Sequence, residues 1–145
     1  MTTLSAGDGL RTRSPHPGRL AGAAVLAIVV ASLGNTLLAL IGKAAFSVPD
    51  DFKGFQPGAY VFLTVVGIVG ASVAWSVIAA KAAKPVDLLR KLAVVIVPVS
   101  MLADLALLVT GQSPAGVAVL IVMHVVVGLA AYFTLTRIAP PRPAR

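Results

Sequence analysis

Two side chains in this sequence could exchange a proton with each other, and both lie in long apolar runs. Asp104 sits in MLADLALLV and His124 in LIVMHVVVG. A neutral imidazole accepts from a protonated carboxyl, and an imidazolium pairs with a carboxylate, so the two types form net-neutral partners that a low-dielectric interior favours. An aspartate at the centre of a membrane helix costs about 2.5–3.5 kcal/mol even on the lenient insertion scale, so Asp104 is expected to face inward with a partner. Asn35 and Thr64, each within another apolar run, can supply hydrogen bonds to a substrate or to the pair. Two readings of these four residues stay open. In one they form a ligand or proton site; in the other, an internal hydrogen-bond network that fixes helix register.

Other chemistry finds less support. The chain has no cysteine, which excludes disulfides, thiolate metal sites and thiol redox reactions. One intramembrane histidine with one aspartate falls short of the three protein ligands usual at catalytic zinc, and nothing else accompanies His124 as a haem ligand. No metal or other cofactor is expected. Ser32, Ser72, Ser76 and Ser100 lie on apolar runs, where a hydroxyl commonly bonds its own helix backbone, and none has a nucleophile arrangement around it. The expected class is therefore non-enzymatic. His16, among Ser14, Pro15 and Pro17, reads as a solvated residue.

The elements that must position these residues are membrane spans. With 58% hydrophobic and 12% charged residues and a mean hydropathy of +0.96, a chain of 145 residues has lipid as its main solvent and room for one domain. A span needs about 20 apolar residues at a rise of about 1.5 Å each. Four such runs occur, at about 20–42, 58–80, 92–109 and 115–135, predicting an all-α, four-helix antiparallel transmembrane bundle over residues 20–137. The first run is too long for a signal-peptide core and ends without a cleavage site. Residues 1–19 read as a flexible cytoplasmic tail, and 138–145 as a short Pro/Arg-rich one. Lys43 to Pro57 reads as a polar loop, the longest connection, and Thr110 to Pro114 as a tight turn.

Ten of the twelve Lys and Arg residues fall in the two tails and the middle connection, leaving Lys43 and Lys53 opposite Asp50 and Asp51. Positive residues are retained inside, so both termini are expected in the cytoplasm of a multi-pass cell-membrane protein. The net charge of +7 follows from that orientation and does not indicate nucleic acid; its partners are the bilayer and anionic lipid. Counting residues from the helix ends places Asn35, Thr64, Asp104 and His124 in one layer, roughly 9–14 Å below the outer end of the bundle.

Packing signals accompany the spans. Ala23, Ala27, Ala31 and Asn35 are spaced by four, Gly67 with Ala71 and Gly70 with Ala74 repeat that spacing, and Gly128 follows His124 by four. Small residues let membrane helices approach closely, within one monomer or between the subunits of a homo-oligomer. Pro98 predicts a kink in the third span. Trp75, Tyr60 and Tyr132 read as interfacial anchors.

The order of these elements, GVAVLIVMHVVVG from Gly116 to Gly128, and MLADLALLVTG from Met101 to Gly111 resemble a family of uncharacterised four-span membrane proteins from high-GC Gram-positive bacteria. The resemblance spans about residues 18–138. It implies the four-helix membrane fold and carries no activity, cofactor or ligand with it. Small multidrug transporters also have four spans, but they carry a membrane glutamate in the first, and this chain has no glutamate. A proton-coupled carrier using Asp104 and His124 is the alternative to a non-enzymatic protein that binds a small ligand of unknown identity.

Overall fold

The computed structural model describes residues 12–143. Four long helices dominate it: α1 (Pro17–Phe46), α2 (Pro57–Lys81), α3 (Pro85–Val109) and α4 (Pro114–Ile138). Each begins at a proline, which lacks the amide that a first turn leaves unpaired anyway and whose fixed φ suits helix entry. Each is long and apolar enough to cross a bilayer. At 25 residues, α2, α3 and α4 extend about 37 Å, beyond the roughly 30 Å of hydrocarbon. The chain is a multi-pass membrane protein folded as a four-helix bundle.

The helices outrun the uncharged stretches because their charged ends can reach water. α3 starts at Pro85 rather than near Leu92 and so carries Asp87, Arg90 and Lys91 in its first turns, and it runs on through Pro98. Around the bundle, α1 packs on α4 and α2, while α3 packs on α4 and α2 from the opposite side. α1 and α4 make the most extensive interface. Its basis is small side chains: Ala23, Ala27 and Ala31 are wholly enclosed, and every buried residue of α1 is Ala, Gly or Asn. On α2 the small residues behave differently. Gly67 and Gly70 face open space, while Tyr60, Thr64, Ile68, Ser72, Trp75 and Ala79 supply the buried face.

The two ends of the bundle are closed by different means. At the end bearing the α1–α2 and α3–α4 connections, the segment expected to be a polar loop folds inward as an apolar plug. Val48, Phe52 and Phe55 are buried, Phe55 lies in the short 3-10 turn Lys53–Phe55, and the two rings meet edge to face with centroids 5.0 Å apart. Gly42 and Gly116 provide their seats. A Cβ at Gly42 would fall 2.6 Å from the Phe55 ring, and one at Gly116 2.8 Å from that of Phe52. The α3–α4 turn needs Gly111 for its φ of +77°.

At the other end the chain termini are tied together. Thr12–Arg13 (β1) pairs antiparallel with Arg142–Pro143 (β2), Arg19 Nε donates to the Ile138 carbonyl at 2.7 Å, and Arg142 Nε donates to that of Ser14 at 2.8 Å. Residues 12–19 and 138–143 are therefore built into the bundle end, which corrects the reading of them as tails; residues 1–11, 144 and 145 lie outside the described residues. His16 is not simply solvated. It caps α1, its Nδ1 accepting from the Gly18 amide at 3.2 Å. Trp75 is fully buried rather than interfacial, and its indole donates to the Ala139 carbonyl at 2.8 Å, satisfying a group that the end of α4 leaves open.

Candidate functional site

The four polar residues singled out by type fall into two pairs on opposite sides of the bundle. Asn35 of α1 and Thr64 of α2 are both enclosed, and Asn35 Nδ2 donates to Thr64 Oγ1 at 3.1 Å. Asp104 of α3 and His124 of α4 meet across the other interface, with Oδ2 2.8 Å from Nδ1. No hydrogen bond or ion pair joins the two pairs among the described residues. The single layer expected from depth counting is thus two separate contacts. Residue counting gives height along a helix, but only the order of helices around the bundle decides which polar groups can touch.

The α1–α2 pair belongs to a longer polar seam. One turn further, Thr36 Oγ1 and the Tyr60 hydroxyl lie 2.9 Å apart, and Thr36 also donates to the Ser32 carbonyl at 2.8 Å. Tyr60 is buried here and joins two helices, rather than marking the interface as an anchor. Ser72, Ser76 and Ser100 bond carbonyls of their own helices, as membrane serines commonly do. Ser32 departs from that pattern. Its Oγ is buried without a partner, as is Asn35 Oδ1. Sequence reasoning missed Thr36 and Tyr60 as members of the seam; the spacing of Tyr60 four residues from Thr64 was a usable signal, whereas Thr36, adjacent to Asn35, gave none.

The α3–α4 pair has a different geometry. His124 Nδ1 also lies 3.1 Å from the Leu120 carbonyl, which can only accept, so that bond requires a proton on Nδ1. Asp104 Oδ2 is close to the same nitrogen yet is buried without an aligned hydrogen bond. The two residues are therefore held by close electrostatic approach, with the ring proton directed to the backbone. Neutral imidazole with protonated carboxyl and imidazolium with carboxylate both leave the pair without net charge, which hydrocarbon favours over a lone charge. The other carboxylate oxygen, Oδ1, and the outer ring nitrogen, Nε2, make no hydrogen bond among the described residues.

Burial separates the pairs as well. Asn35 and Thr64 are 2% and 3% exposed, whereas the side chains of Asp104 and His124 are 13% and 32% exposed. The carrier helix explains the contrast: the most apolar stretch of α3 contains no buried residue, against 22%, 28% and 33% in α1, α2 and α4. No group of three or more His, Asp or Glu side chains converges among the described residues. An open cleft of about 270 Å³ lies at the plugged end, lined by Pro49, Asp51, Phe52, Lys53, Gly111, Gln112 and Ser113, and none of the four polar residues lines it.

This arrangement, a four-helix membrane bundle with a polar contact in each of two opposite grooves, defines the class of protein. The chain belongs to the family of unknown function DUF6069, whose match covers residues 15–141 and so takes in all four helices. Comparison with curated proteins and with solved structures found no match.

Proposed function

We propose that the protein is a non-enzymatic membrane protein that binds a small ligand at Asp104 and His124, with Asn35 and Thr64 acting as a clamp between α1 and α2. The observation that carries this reading is that the α3–α4 pair is both incompletely hydrogen-bonded and partly exposed, whereas the unpaired Asn35 Oδ1 of the other pair is enclosed. Among the described residues, Oδ1, Oδ2 and Nε2 have no aligned hydrogen bond, although Oδ2 lies close to His124 Nδ1. Polar groups inside hydrocarbon are costly when unpaired, and a ligand that completes their bonding is stabilised in proportion. The Asn35–Thr64 pair is enclosed and suits a structural role.

A thermal-stability screen of the reconstituted protein tests this. A ligand bound at the pair raises the melting temperature of the natural chain through mass action and loses that effect in Asp104→Asn. Stabilisation that is equal in both proteins removes the assignment.

The second reading, a proton-coupled carrier, draws support from the position of the pair on the most exposed helix, where its titratable groups are not sealed inside the bundle. Flux driven by a pH gradient in proteoliposomes and abolished by Asp104→Asn would establish it; equal flux in the variant would remove it.

Termini in the cytoplasm are part of the same proposal. Arg13, Arg19, Lys81, Lys84, Arg90, Lys91, Arg137 and Arg142 all belong to the end that holds the paired termini and the α2–α3 connection, with Asp87 among them. The opposite end carries Lys43 and Lys53 with Asp50 and Asp51. The absence of cysteine makes labelling clean: a single cysteine placed at Ala83 should resist a membrane-impermeant maleimide in intact cells, and one at Gln112 should react.

A further inference from the structure

The routes by which a ligand could reach Asp104 and His124 are unequal. Toward the plugged end, the next turn of α4 presents Leu120, buried in the apolar cluster that contains Phe52 and Phe55. The next turn of α3 presents Leu107, packed against that same cluster. Water entering along the bundle axis from this end meets a dry lid. Toward the end that holds the termini, one turn below His124, Gly128 receives the Val97 side chain so closely that a Cβ there would fall 2.8 Å from it. α3 and α4 touch at that level. The pair thus occupies a window between two apolar contacts of the same two helices.

The flank is open. His124 keeps a third of its side-chain surface exposed and Asp104 an eighth, and the residues that follow each in sequence, Leu105 and Val125, are exposed and apolar. Along α3, Asp104 lies five residues from the helix end, about 7 Å of rise, which puts the window inside the hydrocarbon zone of a helix about 37 Å long. The atoms left unpaired on the flank are an acceptor, Oδ1, and Nε2, which donates once the ring is protonated. A hydroxyl both donates and accepts, so one such group can satisfy both.

We propose that the Asp104–His124 pair is entered sideways from the bilayer, between α3 and α4, and takes the hydroxyl head of a membrane-dissolved amphiphile. This deepens the ligand-binding reading above and rests on it. The apolar body of the molecule stays along the exposed faces of α3 and α4, in contact with lipid, while the head enters the window. Binding forms no covalent bond and moves no metal.

The test uses the full chain in lipid nanodiscs with nitrogen-labelled histidine. The chain has two histidines, His16 and His124, and His16→Asn, which keeps a capping side chain on α1, identifies the His124 resonance. A phosphatidylcholine carrying a nitroxide midway along one acyl chain is expected to broaden that resonance, and an aqueous nickel chelate to leave it sharp. Dodecanol is expected to shift it saturably, and dodecane, which lacks the hydroxyl, to leave it in place. Broadening by the chelate, protection from both reagents as a second copy covering the flank would give, or an equal response to dodecane overturns the proposal. Asp104→Asn separates the two levels of inference. If the His124 resonance ignores that substitution, the paired site itself fails; if it moves while the nitroxide has no effect, only sideways entry fails.

Discussion

Asn35–Thr64 and Asp104–His124 are built from similar ingredients and put to different use by the helices that carry them. The first pair joins α1, whose buried face is nearly all alanine, to α2, and its side chains are shut away from lipid. The second joins α4 to α3, a helix whose most apolar stretch is wholly unburied, and it opens on the bundle's flank. Tight packing leaves a polar group no freedom to change partners, so the enclosed pair fixes geometry. Exposure leaves atoms free to meet something else. The contrast places ligand chemistry in the α3–α4 groove and register in the α1–α2 groove.

Substitutions that exchange Asp and Asn break this contrast most directly. Asn35→Asp puts a charge at a position that is itself enclosed and is expected to destabilise by about 2.5–3.5 kcal/mol, read from unfolding in mixed micelles. A cost near zero would mean that water reaches α1–α2 as easily as α3–α4. Gly128→Val comes next. Its side chain collides with Val97 and should cost about 1–3 kcal/mol while forcing α3 away from α4, so the His124 resonance should move with stability. Thr64→Val removes the acceptor of Asn35 Nδ2 at almost constant shape. The expected loss is about 0.6–1.7 kcal/mol, the range for hydrogen bonds between membrane helices, with His124 undisturbed. Asp104→Asn should destabilise by less than the roughly 3–5 kcal/mol typical of a fully buried pair that loses one partner, because His124 keeps a third of its side-chain surface exposed, and it should shift the His124 resonance clearly. The smallest effect is expected away from both pairs. Ser47 ends α1 with φ of 50°, and Ser47→Gly should stabilise by about 0.5–1 kcal/mol in the same unfolding assay.

The residues of the candidate site were legible by type because each is a polar interruption in an apolar run. Their pairing was not. Thr64 and His124 both lie within the first half of a returning helix, and nothing in their spacing says that one meets Asn35 and the other Asp104. Trp75 illustrates the same limit. An indole near a span end reads as an anchor, but in the fold its N–H finds the open Ala139 carbonyl and the ring is enclosed. Gly67 and Gly70 show the converse, small residues at close-packing spacing that face away from the other helices. In the α1–α2 connection, charged Asp50, Asp51 and Lys53 conceal an apolar alternation of Val48, Phe52 and Phe55 that acts only once Gly42 and Gly116 are brought beneath it.

By itself the sequence determined that four apolar helices cross the membrane, where their polar interruptions lie, and how unevenly basic charge is divided between the two ends. These are local properties: span length follows from hydropathy and rise per residue, and a buried charge is costly whatever its neighbours. Tertiary structure alone decided that α1 lies against α4, that the polar residues divide into an enclosed pair and an open one, that two phenylalanines seal one end, and that the termini are strapped across the other. Those outcomes depend on which helix faces meet, and that is settled by shape, through alanines that let two backbones approach and glycines that admit a ring or a valine.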